Sequence, residues 1–228
     1  MSANKPNNQR LSRPRIKSFV RRTGRVTPAQ KRALEQYWPA YGLNYEPSQL
    51  DLMKIFGRNA KCILEIGFGN GELLVSMATA NPQNDYIGVE VHEAGVGHCL
   101  LRLHEQSLTN VRLIRHDAID VLRQQIPDQA LHGINLFFPD PWPKKRQHKR
   151  RIVQADFITL LSRKIKPGGY FHAATDWANY AEHIDETVTA DPIFSSSTTN
   201  FTQRPETKFE LRGKNLGHEI WERIYTRV

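Results

Sequence analysis

From about residue 60 onward, apolar residues fall in short blocks with two alternating rhythms. "CILEIG" is a compact apolar run closed by glycine, the pattern of a parallel strand buried on both faces. "GELLVSMATA" follows it as a helix. "DYIGVEV" and "EAGVGHCLLRLHEQS" repeat the pair, and "VRLIRHD" with the short helix "AIDVLRQQI" repeats it again. "GINLFFPD" is a fourth strand, "RIVQADFITLLSRKI" an amphipathic helix, and "PGGYFHAATD" a turn leading into a fifth strand. "WANYAEHIDETVTA" is helical once more, and "HEIWERIYTRV" alternates as a final strand. Short strands alternating with helices predict an α/β sheet covered on both faces.

Upstream, "TPAQKRALEQYW" predicts a short helix, with Thr27 as cap, Pro28 in the first turn and Ala33, Leu34 and Tyr37 on one face. "YGLNYEP" reads as an irregular connection, and "SSSTTN" at 195–200 as a short polar patch. Residues 1–30 are polar and basic and carry Pro6, Pro14 and Pro28. They predict a flexible arm with a short ordered piece at "IKSFV", followed by a single domain over 31–228. A chain of 228 residues can bury one large core. It contains no apolar run of 18 or more residues, so a spanning helix and a membrane role are not expected. Cys62 and Cys99 have neither metal-pair spacing nor the number for a disulfide framework. They fit a reducing, cytoplasmic setting. No metal site is expected, and nothing calls for an obligatory protein partner.

Charge changes this picture because of where it sits. Ten of the 32 Lys and Arg residues fall in residues 1–32, which hold no Asp or Glu. The rest of the chain carries 22 basic against 23 acidic residues and is nearly neutral. A basic arm suits a polyanion, because each neutralised phosphate releases counterions. An Arg-rich, acid-poor start also matches an organelle transit peptide or a solubilising tail.

The candidate chemistry lies at the strand ends. "LEIGFGNGELL" sets Glu65, Gly67, Gly69 and Gly71 at a strand-to-helix turn, where glycines allow a sharp bend and close approach of a ligand. The spacing differs from the dinucleotide fingerprint, in which pyrophosphate rests on the helix end. An acid ahead of the glycines would repel phosphate and favour a ligand carrying an ammonium or other cation. S-adenosylmethionine has an ammonium, a sulfonium and no phosphate. Glu90 ends the second strand in "GVEVH", placed to accept hydrogen bonds from two ribose hydroxyls, although a glutamate opening a helix reads the same way. Asp117, in "RHDAID", is placed to accept from an adenine amino group with Ala118 supplying a backbone donor. Asp120 is a weaker rival, and Asp117 is equally a helix N-cap. Ligands of open α/β sheets bind outside this carboxyl edge.

The fourth strand runs into "FFPDPWPKKRQHKRR". Its prolines stiffen the turn that carries Asp140 over the same edge. The turn resembles the Asp-Pro-Pro-aromatic motif of methyltransferases that act on nucleobase nitrogens; a rigid loop around a packed Trp142 is the plainer reading. Six of residues 144–151 are basic. Read as the start of the next helix, that is the wrong end for cations, and it argues for an external anion such as phosphate.

Together "LEIGFGNGELL", "GVEVH", "FPDPWPKKRQHKRR", "ATDWANYAEHI" and "TKFELRGKNLGHEIWERIY" resemble the bacterial tRNA (guanine-N7-)-methyltransferase family over roughly residues 60–228. "SFVRRTGRVTPAQKRAL" is similar to the family's N-terminal region as well. The resemblance implies a class I S-adenosylmethionine-dependent, Rossmann-like fold with a seven-stranded, mostly parallel sheet. It implies S-adenosyl-L-methionine as cofactor, tRNA as partner, and methylation of a guanine at position 46 of the variable loop. Glu65, Glu90, Asp117 and Asp140 carry over as cofactor-pocket residues, and Asp140 as the catalytic residue. Lys144, Asp176, Thr207, Lys208, Phe209 and Glu210 carry over as substrate-binding positions. Arg146, Gln147, His148, Lys149, Arg150 and Arg151 carry over as the RNA-contacting segment.

Guanine N7 carries a lone pair and no proton, so methyl transfer there needs alignment and electrostatics rather than a base. Asp140 would steady the purine's growing positive charge or orient it. Glu210 and Asp176 would hold the base edge, with Thr207 adding a hydroxyl. Trp142 and Phe209 are candidate stacking surfaces that serve equally as packing. Two other readings fit less of the chain: a DNA amino-methyltransferase, and a non-catalytic RNA-binding protein built on the same fold.

Overall fold

In the computed structural model, described residues are 15–20, 24–197, 210–211, 217 and 219–228. Seven strands form one sheet: β1 (Lys61–Ile66), β2 (Asn84–Val89), β3 (Val111–Ile114), β4 (Leu131–Phe137), β5 (Ile165–Thr175), β6 (Phe194–Ser197) and β7 (Trp221–Arg227). Their order across the sheet is β3-β2-β1-β4-β5-β7-β6. The first five pair parallel, and β7 pairs antiparallel with both β5 and β6. The order reverses between β1 and β4, which opens a crevice at their carboxyl ends.

β1 to β4 are buried along nearly their whole length, as apolar runs in a parallel sheet require, and β5 is buried from Phe171 to Thr175. Helices join the strands or flank them: α1 (Pro28–Tyr41), α2 (Leu52–Phe56), α3 (Glu72–Ala80), α4 (Glu93–Glu105), α5 (Ala118–Gln124), α6 (Ala155–Lys164) and α7 (Ala178–Thr189). One face of the sheet packs Val121, Leu122, Phe157, Leu161, Tyr180 and Ile184 from α5, α6 and α7. The other packs Ala33, Leu74, Val75, Val96 and Leu100 from α1, α3 and α4. α1 opens on the expected Thr27 cap, a reciprocal pair in which Gln30 N donates to Thr27 Oγ1 at 3.3 Å and Thr27 N donates to Gln30 Oε1 at 2.8 Å. Beyond it the connection bridges to the β3 edge, Leu43 N donating to Leu113 O at 2.8 Å.

Two elements depart from the pattern reading. The polar patch at 195–200 is in part a strand, because Ser195 and Ser196 pair with Thr226 and Tyr225 of β7. Strand pairing there comes from the backbone, which a serine run does not advertise. The basic run is not the start of α6. Lys145–Arg150 form a 3-10 helix of their own, with His148, Lys149 and Arg150 in its last turn, the end that favours cations. The helix-end argument for an external anion therefore does not hold as stated. Part of the basic arm, residues 15–20, which includes the "IKSFV" piece expected to be ordered, lies against the carboxyl edge of the sheet.

Candidate active site

A cavity of about 290 Å³ opens over the crevice. Gly67 and Gly69 from the turn after β1, Glu90 after β2, Asp117 and Ala118 after β3, and Asp140 after β4 all line it. The topology brings them together: successive parallel strands end on one edge, and each acid lies within three residues of its strand's end. Gly67 and Gly69 have φ of +71° and +56°, and the space in front of each Cα is open. A ligand can therefore lie against the backbone there, as S-adenosylmethionine would require.

Glu90 is buried, and its carboxylate accepts three backbone hydrogen bonds, from Val91 N at 2.6 Å, His92 N at 2.9 Å and Gly69 N at 3.0 Å. It thus ties the glycine turn to the end of β2. A carboxylate offers about four acceptor positions, so one remains for a ribose hydroxyl. Asp117 is only 4 % exposed and fills one of its two expected roles, the cap of α5. Oδ1 caps α5 by accepting from Ile119 N at 3.0 Å, while Oδ2 faces cations of the arm. Lys17 Nζ donates to it at 2.7 Å, and Arg15 Nη2 bonds to the same oxygen. The bond to Asp117 raises the Lys17 pKa, against the lowering effect of its burial. Asp120 does not reach the cavity; it serves the arm, accepting from Lys17 at 3.3 Å.

Two sequence-predicted positions sit elsewhere. Glu65 does not line the cavity; it is buried on β1 beneath the turn, level with Asn135 of β4. Gly71 does not line it either. A Cβ at Gly71 would lie 2.3 Å from Cys99 Sγ, so its missing side chain serves the packing of α3 on α4. Burial pushes the thiols of both Cys62 and Cys99 up, and neither is a candidate nucleophile.

The Pro-Asp-Pro-Trp turn is held from several directions. Asp140 is exposed at the cavity rim. Trp142 has a φ of +45°, and its indole N–H donates to Ser18 O at 3.0 Å. The Arg150 guanidinium lies 4.0 Å from the Trp142 ring centroid and donates to Phe19 O at 3.1 Å. One face of Trp142 is thus already covered, which favours its reading as packing. Arg151 is a correction to the RNA-contacting segment. It is 2 % exposed, and its guanidinium is spent on internal partners: Nε donates to Pro141 O at 3.0 Å and Nη2 to Asn179 Oδ1 at 2.8 Å. Its charge lies 4.7 Å from the Tyr180 ring centroid. Burial there lowers the Arg151 pKa, Tyr180 opposing the shift. Arg151 therefore clamps the Pro-Asp-Pro-Trp turn to α7.

Lys144, Lys145, Arg146 and Lys149 are exposed, with Gln147, His148 and Arg150 half-buried beside them. Asp176 is half-buried after β5, and Glu210 is buried. Thr207, Lys208 and Phe209 lie outside the described residues. Sequence reasoning missed Ser18, Phe19, Phe138 and His116 as cavity walls. His116 stacks on Tyr45 with centroids 3.7 Å apart, and its position beside Asp117 was the available signal. Phe138 directly precedes the Pro-Asp-Pro-Trp turn, whereas Ser18 and Phe19 arrive from a hundred residues away and carried none.

A family model described as "Putative methyltransferase" matches residues 59–223. The tRNA (guanine-N(7)-)-methyltransferase of Nitrosococcus oceani is 53 % identical over 214 residues, covering 93 % of this chain and 91 % of that protein. The protein of the same name from Yersinia enterocolitica is 50 % identical over 219 residues, covering 93 % and 92 %. The chain belongs to the tRNA (guanine-N(7)-)-methyltransferase family. Solved structures show the family's fold at greater distance. The aminoglycoside resistance methyltransferase NpmB1 superposes with a TM-score of 0.56 at 12 % identity, over 78 % of this chain and 92 % of that one. TrmN from Thermus thermophilus gives 0.54 at 16 % identity, over 78 % and 47 %. The class I methyltransferase fold expected from sequence is therefore the fold of this family member. Among the described residues no helix is long and apolar enough to cross a membrane, and no group of three His, Cys, Asp or Glu could hold a metal ion.

Proposed function

We propose that the chain transfers a methyl group from S-adenosylmethionine to N7 of a guanine in tRNA, at position 46 of the variable loop, forming N7-methylguanosine in the cytoplasm. The observation that carries this reading is the gathering of Glu90, Asp117 and Asp140 around an open glycine turn, in a chain that matches tRNA (guanine-N(7)-)-methyltransferases over 91 % or more of their length.

When bound, the cofactor supplies a methyl group made electrophilic by its sulfonium sulfur. Gly67 and Gly69 would admit it against the backbone, Glu90 would accept from its ribose, and Asp117 with Ala118 would hold its adenine. For Asp117 to do so, Lys17 and Arg15 must share or yield Oδ2. Asp140, at the rim, faces the incoming purine. N7 would attack the methyl carbon through its in-plane lone pair as the carbon–sulfur bond breaks and its electron pair leaves with S-adenosylhomocysteine; N7 has no proton to lose, so no general base is needed. The purine gains positive charge as the bond forms, and a carboxylate beside it lowers the energy of that arrangement. The clamp of Arg151 on Pro141 fixes where Asp140 stands. Asp176 and Glu210 are the acceptors assigned to the base edge, whose N1–H and N2 amino group distinguish guanine from adenine. Glu210 is buried, so that edge must enter a covered place.

Incubation with labelled methyl donor and total tRNA, followed by nucleoside analysis, tests the reading. N7-methylguanosine is expected. Label in another nucleoside, or none in tRNA, would overturn it.

A further inference from the structure

On the far side of the arm from the cofactor cavity lies a second cavity of about 230 Å³. Ser18 and Ile152 line both. Its walls come from the arm, from α5 and from the junction of the 3-10 helix with α6. Five cations line it: Arg15, Arg123, Lys149, Arg150 and Arg151, against Asp156 alone. Two of the five are committed elsewhere, Arg15 to Asp117 and Arg151 to Pro141 and Asn179. The other three, Arg123, Lys149 and Arg150, have no carboxylate partner among the described residues, and of these Arg150 also donates to Phe19 O and lies over the Trp142 ring. Arg123 and Lys149 are exposed, and Arg150 is half-buried.

Like charges gathered in a concave wall repel one another and raise the local positive potential. A convex surface would let them spread into solvent; this one holds them together. The space is several times the ~30 Å³ that one water occupies in the liquid, enough for a phosphodiester group with part of its hydration. We infer that this cavity is a phosphodiester-binding site, in which Arg123 of α5, with Lys149 and Arg150, holds a backbone phosphate of the tRNA. The inference rests on the proposed function and adds to it a residue from outside the 146–151 segment. The shared wall gives the reason for a nucleic acid rather than a free anion. A strand whose base reaches the rim of one cavity has its backbone within reach of the other.

The test uses the full chain, with Arg123→Ala and Arg123→Lys. Affinity for purified tRNA is measured across a salt series, and affinity for S-adenosylmethionine by calorimetry. Loss of one phosphate contact should flatten the dependence of log K on log salt by about 0.7–0.9. Arg123→Ala should therefore weaken tRNA binding several-fold at low salt and lower the slope by that amount. Arg123→Lys, which keeps the charge, should retain the wild-type slope. Cofactor affinity should be unchanged in both. A wild-type slope and affinity in Arg123→Ala would overturn the inference. So would a loss of cofactor affinity equal to the loss of tRNA affinity, which would mean a general disturbance of the arm. Failure of the wild-type chain to methylate tRNA would instead sink the proposed function, so the two failures are distinct.

Discussion

Replacing Arg151 with methionine keeps most of the side chain's apolar stem and deletes its guanidinium. Pro141 O and Asn179 Oδ1 then lose donors at 3.0 and 2.8 Å inside a site where Arg151 is 2 % exposed. Charge-assisted hydrogen bonds contribute about 1.5–3 kcal/mol each, so the two are worth roughly 3–6 kcal/mol gross. The contact to Asn179 O, at 3.4 Å, adds little. Against this, the native cation is buried with no carboxylate partner among the described residues, and its desolvation offsets much of the gain. A net loss of about 1–3 kcal/mol is expected, the usual range for a broken buried network. For a chain of this size that lowers Tm by about 2–4 °C per kcal/mol. The kinetic effect should exceed the thermal one. The clamp holds the residue next to Asp140, and a displacement of about 1 Å at a reacting centre can cost on the order of a hundredfold. Steady-state methyl transfer to tRNA should show kcat reduced at least about tenfold, or ~1.4 kcal/mol of barrier, with little change in KM. Arg151→Lys should recover little, because an ammonium cannot span both acceptors as the planar fork does. Normal kcat with weakened tRNA affinity, and a salt slope reduced by about one, would refute the clamp and return Arg151 to the RNA-contacting segment.

The other expectations concern the cofactor cavity, the packing beneath it and the far end of β4. Asp140→Ala should lower turnover even at saturating cofactor, by more than it weakens S-adenosylmethionine binding; near-normal turnover would remove its catalytic role. Glu90→Gln sets an amide N–H against the backbone donors it now satisfies, and should cost cofactor affinity about tenfold or more by calorimetry. Gly71→Ala combines a φ of +76° with a Cβ 2.3 Å from Cys99 Sγ, and should lower stability by about 2–4 kcal/mol in denaturant unfolding. Adding Cys99→Ala should restore only part of that, because the backbone strain remains. The His132 pKa is lowered, first by burial and then by Lys166 and Lys61. The unfolded chain therefore binds that proton more readily, and stability should fall as pH drops through about 6.5, the ordinary histidine value. His132→Asn should flatten the Tm profile between neutral pH and pH 5.5.

The acids that form the cavity were readable from the chain because each lies within three residues of the end of an apolar strand, and a parallel sheet sends all such positions to one edge. The same regularity concealed Glu65. In a strand buried on both faces no alternation marks which way a side chain turns, so its membership of the motif did not reveal that it lies beneath the turn. Glycines carry a related ambiguity, since open space at Gly69 and a crowded neighbour at Gly71 produce the same letter. The docking of the arm was illegible for another reason. Arg15 and Lys17 find Asp117 across 102 and 100 residues, and nothing local in a run of cations names its partner. Arg151 shows the converse error. Six basic residues in eight look like one surface, yet the last of them turns inward, and only the tertiary position of Asn179 and Tyr180 shows it.

Because β7 is the one strand paired with β6 among the described residues, the order of synthesis matters. A ribosome delivers Phe194–Ser197 well before Trp221–Arg227, so the newly made segment must wait for the strand that will hold it, and until then the open flank of β5 is exposed to other chains. Any change that slows the arrival of that last strand would act first on yield, through aggregation, and leave the chemistry of the molecules that do finish folding intact.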